Sequence, residues 1–160
     1  MEKLPNLDEY LWPDLARFIL ENAGLVNDQE SLEDIIAEAT KVLQKPDLRF
    51  LFGLDTFAEV SVSAVLPDRD NQLMNGIIDR LIITDDDVII VDYKTNRHVP
   101  STEDEVPEGL LRQMGAYSAA ITQIYPMHRV RPFILWTATG DLMSLTYLKV
   151  INCLQASPDA

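Results

Sequence analysis

The sequence has 160 residues, of which 47% are hydrophobic and 24% are charged. This length and composition are typical of a folded domain with a real core, and they exclude a disordered or low-complexity chain. With 26 acidic and 13 basic residues the net charge is −13, which excludes a general electrostatic attraction to nucleic acid or anionic lipid. An anionic partner must therefore be bound locally, through a basic patch or a bound cation.

The cysteine content and the hydropathy of the sequence indicate the cellular compartment of the protein. The single cysteine, Cys153, excludes an intramolecular disulfide and a multi-cysteine metal site, and it is typical of a reducing environment. No apolar run approaches the ~18 residues of a membrane span, and residues 1–10 lack the basic and apolar regions of a signal peptide. We therefore expect a cytoplasmic protein with no membrane contact.

The first third of the chain is predicted to be helical. Apolar residues recur at helical spacing over residues 11–22, and again from Ser31 to the residue before Pro46. A short helical turn is expected over residues 48–54. We therefore assign residues 1–56 to an N-terminal helical segment that packs on the core of the domain.

The remaining elements predict an α/β core over residues 57–150, followed by a tail over residues 151–160. From Phe57 the pattern alternates, as in a half-buried strand. Two β-rich runs, 76–83 and 88–94, flank an acidic turn and predict a hairpin. A helix over 108–124 then leads to two strands, 130–137 and 142–150. A connection through a helix indicates a mixed β-sheet flanked by helices.

The hairpin brings three charged residues together. If the turn is centred between Asp85 and Asp86, Asp79 faces Asp92 across the two strands, and Lys94 points to the same face. Facing carboxylates are unfavourable unless their charge is offset, which a Mg²⁺ ion would do. Lys94 could then stabilise negative charge at a phosphate. Alternatively, the three are solvated residues at strand ends, joined by weak ion pairs.

Other polar residues are weaker candidates. Glu59 lies on the polar face of the first core strand and could add a third carboxylate, or could simply face solvent. Gln113 and Tyr117 are four residues apart on the predicted helix and can aim at one point. The alternative is a core tyrosine beside a surface glutamine. Arg80 alternates away from Asp79 and is assigned a structural role.

Three segments stand in the order and spacing of a known motif set. They are GIIDR at 76–80, VDYKT at 91–95 and QMGAY at 113–117. They resemble the G-x-x-D-R, V-D-Y-K-T and Q-x-x-x-Y motifs of the RecB-like branch of the PD-(D/E)xK nucleases. Within that branch the sequence looks most like the C-terminal nuclease domain of the AddA subunit of bacterial AddAB helicase–nucleases. The resemblance covers about residues 57–148.

The resemblance implies a restriction-endonuclease-like core that hydrolyses DNA phosphodiesters with Mg²⁺, or with Mn²⁺. The implied role is that of an exonuclease in double-strand break processing and recombinational repair, whose partners are DNA and an AddB-like subunit. It assigns six residues to the site: Asp79, Asp92, Lys94, Glu59, Gln113 and Tyr117. The two aspartates are the implied metal ligands, the lysine and glutamate join them as catalytic residues, and the glutamine and tyrosine bind the substrate.

The sequence departs from the family pattern at its start. Family members usually carry an earlier helix whose histidine is a further metal ligand, and Met1-Glu2-Lys3-Leu4-Pro5 resembles the segment just after it. A P-loop for ATP is also missing from the sequence. We therefore expect a fragment of a longer helicase–nuclease, in which ATP is used by the missing helicase domains. The fragment itself should bind metal weakly and cut DNA poorly.

Two alternatives remain. One is a non-catalytic nuclease fold that serves as a scaffold or docking domain. The other is a stand-alone exonuclease of the CRISPR-associated adaptation type, which carries a cysteine cluster that this sequence lacks.

Overall fold

The computed structural model describes residues 8–23, 29–53, 55–66 and 71–156. The chain forms two compact units, Met1–Leu54 and Asp55–Ala160. The predicted packing of the N-terminal segment on the core stays a prediction.

The first unit is helical, as predicted. Helix α1 is Trp12–Ala23 and helix α2 is Gln29–Gln44, with 3₁₀ turns at Glu9–Leu11 and Pro46–Phe52. Helix α2 begins two residues before Ser31, the predicted start. The apolar stripes of the two helices form one small core, which contains Trp12, Ala16, Leu32, Ile36 and Leu43.

The second unit contains a five-stranded sheet in the order β1-β2-β3-β4-β5. The strands are β1 Thr56–Leu66, β2 Gln72–Ile83, β3 Asp87–Lys94, β4 Arg129–Trp136 and β5 Asp141–Ser144. Strands β3 and β4 are parallel, and the other neighbours are antiparallel. Helix α3, Glu108–Ile124, connects the two parallel strands, after a 3₁₀ turn at Glu103–Glu105. The predicted α/β class and mixed sheet are confirmed.

Helix α3 and the strands share one apolar core. Burial of this apolar surface is the main force that holds α3 against the sheet. The core includes Ile78, Leu81, Val88, Ile90, Met114, Tyr117, Ile121 and Ile134.

The C-terminal region differs from the prediction. Strand β5 ends at Ser144, and helix α4 spans Tyr147–Gln155. The predicted strand over 142–150 is therefore wrong in its second half, and residues 151–155 of the predicted tail are helical. Val150 and Leu154, four residues apart, are both buried, which is the spacing of a helix face. None of the described helices is long and apolar enough to cross a membrane.

The β1–β2 hairpin is much longer than the pairing of β2 with β3. Strand β2 pairs with β1 from Gln72 to Ile82, but with β3 only from Arg80 to Ile83. Residues 60–66 and 72–78 thus form a two-stranded extension, which we call the arm. The arm packs on α3, where Gln123 Nε2 donates a hydrogen bond of 3.0 Å to the carbonyl oxygen of Val65.

Candidate active site

The β2–β3 register is the one that the hairpin turn predicts. The ladder runs from Ile83 paired with Val88 to Arg80 paired with Val91. Asp79 and Asp92 occupy the next facing positions, just beyond the last pair. Asp79 Oδ2 accepts a hydrogen bond of 2.6 Å from the backbone N–H of Tyr93. The predicted register of the hairpin is therefore confirmed, and the charge of Asp79 lies near enough to act on Asp92.

A local distortion lies at Asp79. The β1–β2 ladder skips Glu59 and Asp79, between the pairs Ala58–Arg80 and Val60–Ile78. Glu59 has a φ of 52°, a left-handed conformation that side chains other than glycine rarely adopt. Ile78 and Leu81 both reach the core, although strict alternation would send them to opposite faces. The side chains of β2 therefore switch from one face to the other between the sheet and the arm, and Asp79 lies at the switch.

The side chains of Asp92, Lys94 and Gln113 form a three-way contact, in which each one contacts the other two. Asp92 is 3% exposed, and its Oδ2 lies 2.5 Å from Lys94 Nζ. Gln113 Nε2 donates to Asp92 Oδ1 at 3.2 Å, and Lys94 Nζ donates to Gln113 Oε1 at 3.1 Å. The glutamine on α3 therefore holds both Asp92 and Lys94, and it is not the surface glutamine of the alternative interpretation.

Burial has the largest effect on the pKa of Asp92 in this contact. Desolvation raises the pKa of Asp92 above its ordinary value, the ammonium of Lys94 opposes the rise, and the charge of Asp79 adds to it. A carboxylate held in this way gains from any further positive charge that comes close to it.

Tyr117 links the contact to the arm. Its hydroxyl accepts a hydrogen bond of 3.1 Å from Gln113 Nε2, and its ring packs directly on Gly76 of β2. A Cβ atom at position 76 would lie 2.5 Å from Tyr117 Cε1. The glycine of the GIIDR segment therefore makes room for the tyrosine that supports Gln113. The sequence motif contained this glycine, but its packing role was not foreseen.

Arg80 and Tyr93 lie on the other side of the hairpin. Arg80 is buried, and its Nε donates to the Tyr93 hydroxyl at 3.2 Å while its Nη1 donates to Thr56 Oγ1 at 3.3 Å. Burial raises the pKa of Tyr93, and the guanidinium of Arg80 opposes the rise. Arg80 thus has the structural role predicted for it. Tyr93, which holds Asp79 through its backbone, was missed, although it stands between the two motif residues Asp92 and Lys94.

Glu59 is not part of the contact around Asp92. It is exposed, and its charge acts on Tyr93, whose pKa it helps to raise. In the described part of the chain no hydrogen bond or ion pair joins Glu59 to Asp92 or Lys94. A catalytic role for Glu59 stays a prediction.

The acidic residues fit a hard divalent cation with few protein ligands. Among the described residues, no group of three or more histidine, cysteine, aspartate or glutamate side chains is placed to hold a metal ion. The available donors are the neighbouring carboxylates of Asp79 and Asp92. Mg²⁺ is commonly held by one or two carboxylates and completes its shell with water and substrate phosphates. The donor pair is compatible with such an ion.

The sequence is similar to those of known helicase/nuclease subunits. The A subunit of the ATP-dependent helicase/nuclease of Ligilactobacillus salivarius (strain UCC118) is 32% identical over 139 residues, covering 76% of this chain and 11% of the relative. The corresponding protein from Streptococcus equi subsp. zooepidemicus (strain MGCS10565), which has the same name, is 30% identical over 105 residues, covering 66% of this chain and 8% of the relative. The chain thus spans about a tenth of the length of these relatives.

The family comparison covers most of the chain, including both motif strands and helix α3. The family model described as "PD-(D/E)XK nuclease superfamily" matches residues 8–150. The matched region contains Asp79, Asp92, Lys94 and the α3 residues that contact them. The chain therefore belongs to the PD-(D/E)XK nuclease superfamily.

Proposed function

We propose that the chain is the nuclease domain of a longer helicase–nuclease protein of the AddA type, and that it hydrolyses DNA phosphodiesters with Mg²⁺. The observation that carries the proposal is the contact of Asp92, Lys94 and Gln113 beside Asp79 in a chain of this nuclease superfamily. The relatives' names and their greater length support the assignment to a helicase–nuclease.

Each residue has a separate part in the proposed reaction. Asp79 and Asp92 would hold Mg²⁺, or Mn²⁺ in its place, and the cation would polarise the scissile phosphate and activate the attacking water. The ammonium of Lys94 has three donors, of which two contact Asp92 and Gln113. The third can be donated to a phosphate oxygen or to the attacking water. Gln113 fixes the direction of that third donor because it holds both Lys94 and Asp92. Tyr117 in turn holds Gln113 in place.

The negative net charge of the chain limits how strongly the domain can attract DNA. A net charge of −13 repels the DNA backbone, so the domain by itself binds DNA only locally and weakly. We propose that other domains of the longer protein bind the DNA and use ATP to move it, and that their partner is an AddB-like subunit. The domain would then act as an exonuclease on the strand it receives, during double-strand break processing and recombinational repair in the cytoplasm.

The proposal is tested by the metal dependence of cleavage. Linear DNA is incubated with the full-length protein in Mg²⁺, in Mn²⁺ or in EDTA, and the products are separated on a gel. We expect cleavage with either metal and none in EDTA. Calorimetric titration of the 160-residue chain should show weak metal binding, because two carboxylates leave most of the cation shell to water and substrate.

Two results would contradict the proposal. Cleavage that persists in EDTA would exclude the metal-dependent mechanism. An absence of cleavage with both metals, in a folded protein that still hydrolyses ATP, would favour the alternative of a non-catalytic scaffold domain.

A further inference from the structure

A groove adjoins the candidate active site. It has a volume of about 430 Å³ and lies between the arm and helix α3, with Leu154 of α4 at its edge. Gln113 is part of its wall. The same side chain contacts Asp92 and Lys94, so the groove opens beside the two β3 residues of the site. Gln113 is thus the residue that the groove shares with the candidate active site.

The lining of the groove has no acidic side chain among the residues that the structure describes, although the chain carries twice as many acidic as basic residues. Its polar side chains are Gln72 and Asn75 on the arm, and Arg112 and Gln113 on α3. Amides and guanidinium groups are the donors that proteins use for phosphate and sugar oxygens. The remaining side chains of the lining are apolar and can contact a base.

Arg112 is the single cationic residue of this lining in the described part of the chain. Its Nη2 donates to Glu108 Oε1 at 2.6 Å, one turn earlier on α3. Its Nε is buried and has no hydrogen-bond partner among the residues that the structure describes. The side chain of Arg112 is 31% exposed, so its outer guanidinium nitrogens, rather than the buried Nε, can bind an anionic group in the groove.

We propose that this groove binds one nucleotide of the DNA strand, directly beside the phosphodiester that is cut. Arg112 binds the phosphate of that nucleotide, the amides of Gln72 and Asn75 bind its polar edge, and the apolar wall contacts its base. The volume lies within the range of about 300–1,000 Å³ that is usual for small-ligand sites. The inference rests on the proposed nuclease function, because the groove is identified by the wall that it shares with the candidate active site.

The test measures DNA binding without cleavage. Fluorescence anisotropy follows the binding of a fluorescein-labelled oligo-dT of about 12 nucleotides to the 160-residue chain in EDTA, over a series of salt concentrations. The variants are Arg112→Gln, Arg112→Lys and Glu108→Gln. Arg131→Gln is the matched control, because Arg131 is an exposed arginine of β4, lies outside the groove lining and also pairs with a carboxylate, Asp87.

We expect Arg112→Gln to weaken binding about tenfold, since it removes a charge-assisted hydrogen bond to phosphate. The slope of log affinity against log salt should fall by about 0.7, the value for one lost phosphate contact on a single strand. Arg112→Lys should restore part of the affinity. Glu108→Gln should strengthen binding, because it removes the carboxylate that competes for Arg112. Arg131→Gln should leave the slope unchanged.

Equal effects of Arg112→Gln and Arg131→Gln would show a general charge effect and overturn the groove proposal. Absence of oligo-dT binding by the wild-type chain would overturn it as well. In either case, metal-dependent cleavage by the full-length protein would show that the nuclease function stands without the groove. Loss of both binding and cleavage would remove the proposed function itself.

Discussion

Lys94→Met slows DNA cleavage by the full-length protein about 10²–10³-fold, the usual cost of removing one preorganised donor from a developing negative charge. Methionine keeps the apolar stem of lysine but removes the ammonium that contacts Asp92 and Gln113. Because Asp92 is buried, its pKa rises further when Lys94 is lost, and the fold loses some stability. The cleavage rates are therefore measured well below the melting temperature of each variant.

Lys149→Met is the matched control for this change. The side chain of Lys149 is 24% exposed against 21% for Lys94, and it also pairs with an aspartate, Asp104. It lies on α4 and contacts neither Asp79 nor Asp92. The control should cut DNA at the wild-type rate, and a Lys94→Met protein that did the same would exclude a catalytic lysine at this position.

Gly115→Ala lowers the free energy of unfolding by about 1–3 kcal/mol, the range for overpacking a filled core. Gly115 lies where α3 crosses α4. A Cβ atom there would overlap the carbonyl oxygen of Val150 and would lie 2.9 Å from Leu154 Cβ. A backbone oxygen cannot rotate away as a flexible side chain can, so the two helices must move apart. Urea denaturation of the chain measures the change.

Gly109→Ala, the same substitution six residues earlier in α3, provides the comparison. A Cβ atom at position 109 meets no heavy atom within 4 Å. Alanine there should be neutral or stabilise the fold by up to about 1 kcal/mol, because it restricts the unfolded chain. Equal losses of stability at the two positions would show that the close approach of α3 and α4 is not the cause.

The hairpin register that places Asp79 and Asp92 near each other could be predicted because it depends on local chemistry. A short acidic turn fixes which residues face each other across a hairpin, so the position of the turn sufficed to place Asp79 opposite Asp92. The limits of helix α3 could be predicted for a similar reason, since its apolar face and Pro126 define them.

Features that depend on tertiary contacts could not be predicted. Residues 147–155 are apolar enough to suit a strand or a helix, and the packing of Val150 and Leu154 against Gly115 selects the helix. Ile77 resembles a residue of a covered strand, yet it is 50% exposed because it lies in the arm. The left-handed conformation of Glu59 has no sequence signal, since glutamate rarely adopts it.

In the candidate active site, too, local spacing could be predicted from the sequence, whereas tertiary contacts could not. Spacing alone places Gln113 and Tyr117 on one helix face, but only the crossing of α3 over β3 shows that Gln113 holds Asp92 and Lys94. Likewise, the close contact of Gly76 with Tyr117 joins two motifs that are distant in sequence. The groove beside Gln113 arises because the arm packs on α3, and no local pattern indicates it.

The most direct test of the proposed metal-dependent site compares Asp92→Asn with Asp86→Asn in the full-length protein. Both variants remove one carboxylate from the same hairpin, but Asp86 lies exposed in the turn, whereas Asp92 lies buried against Lys94 and Gln113. Cleavage of linear DNA in Mg²⁺ and hydrolysis of ATP are measured for each. We predict that Asp92→Asn abolishes cleavage and retains ATP hydrolysis, and that Asp86→Asn retains both. Wild-type cleavage by a folded Asp92→Asn protein would contradict the assignment of the nuclease site.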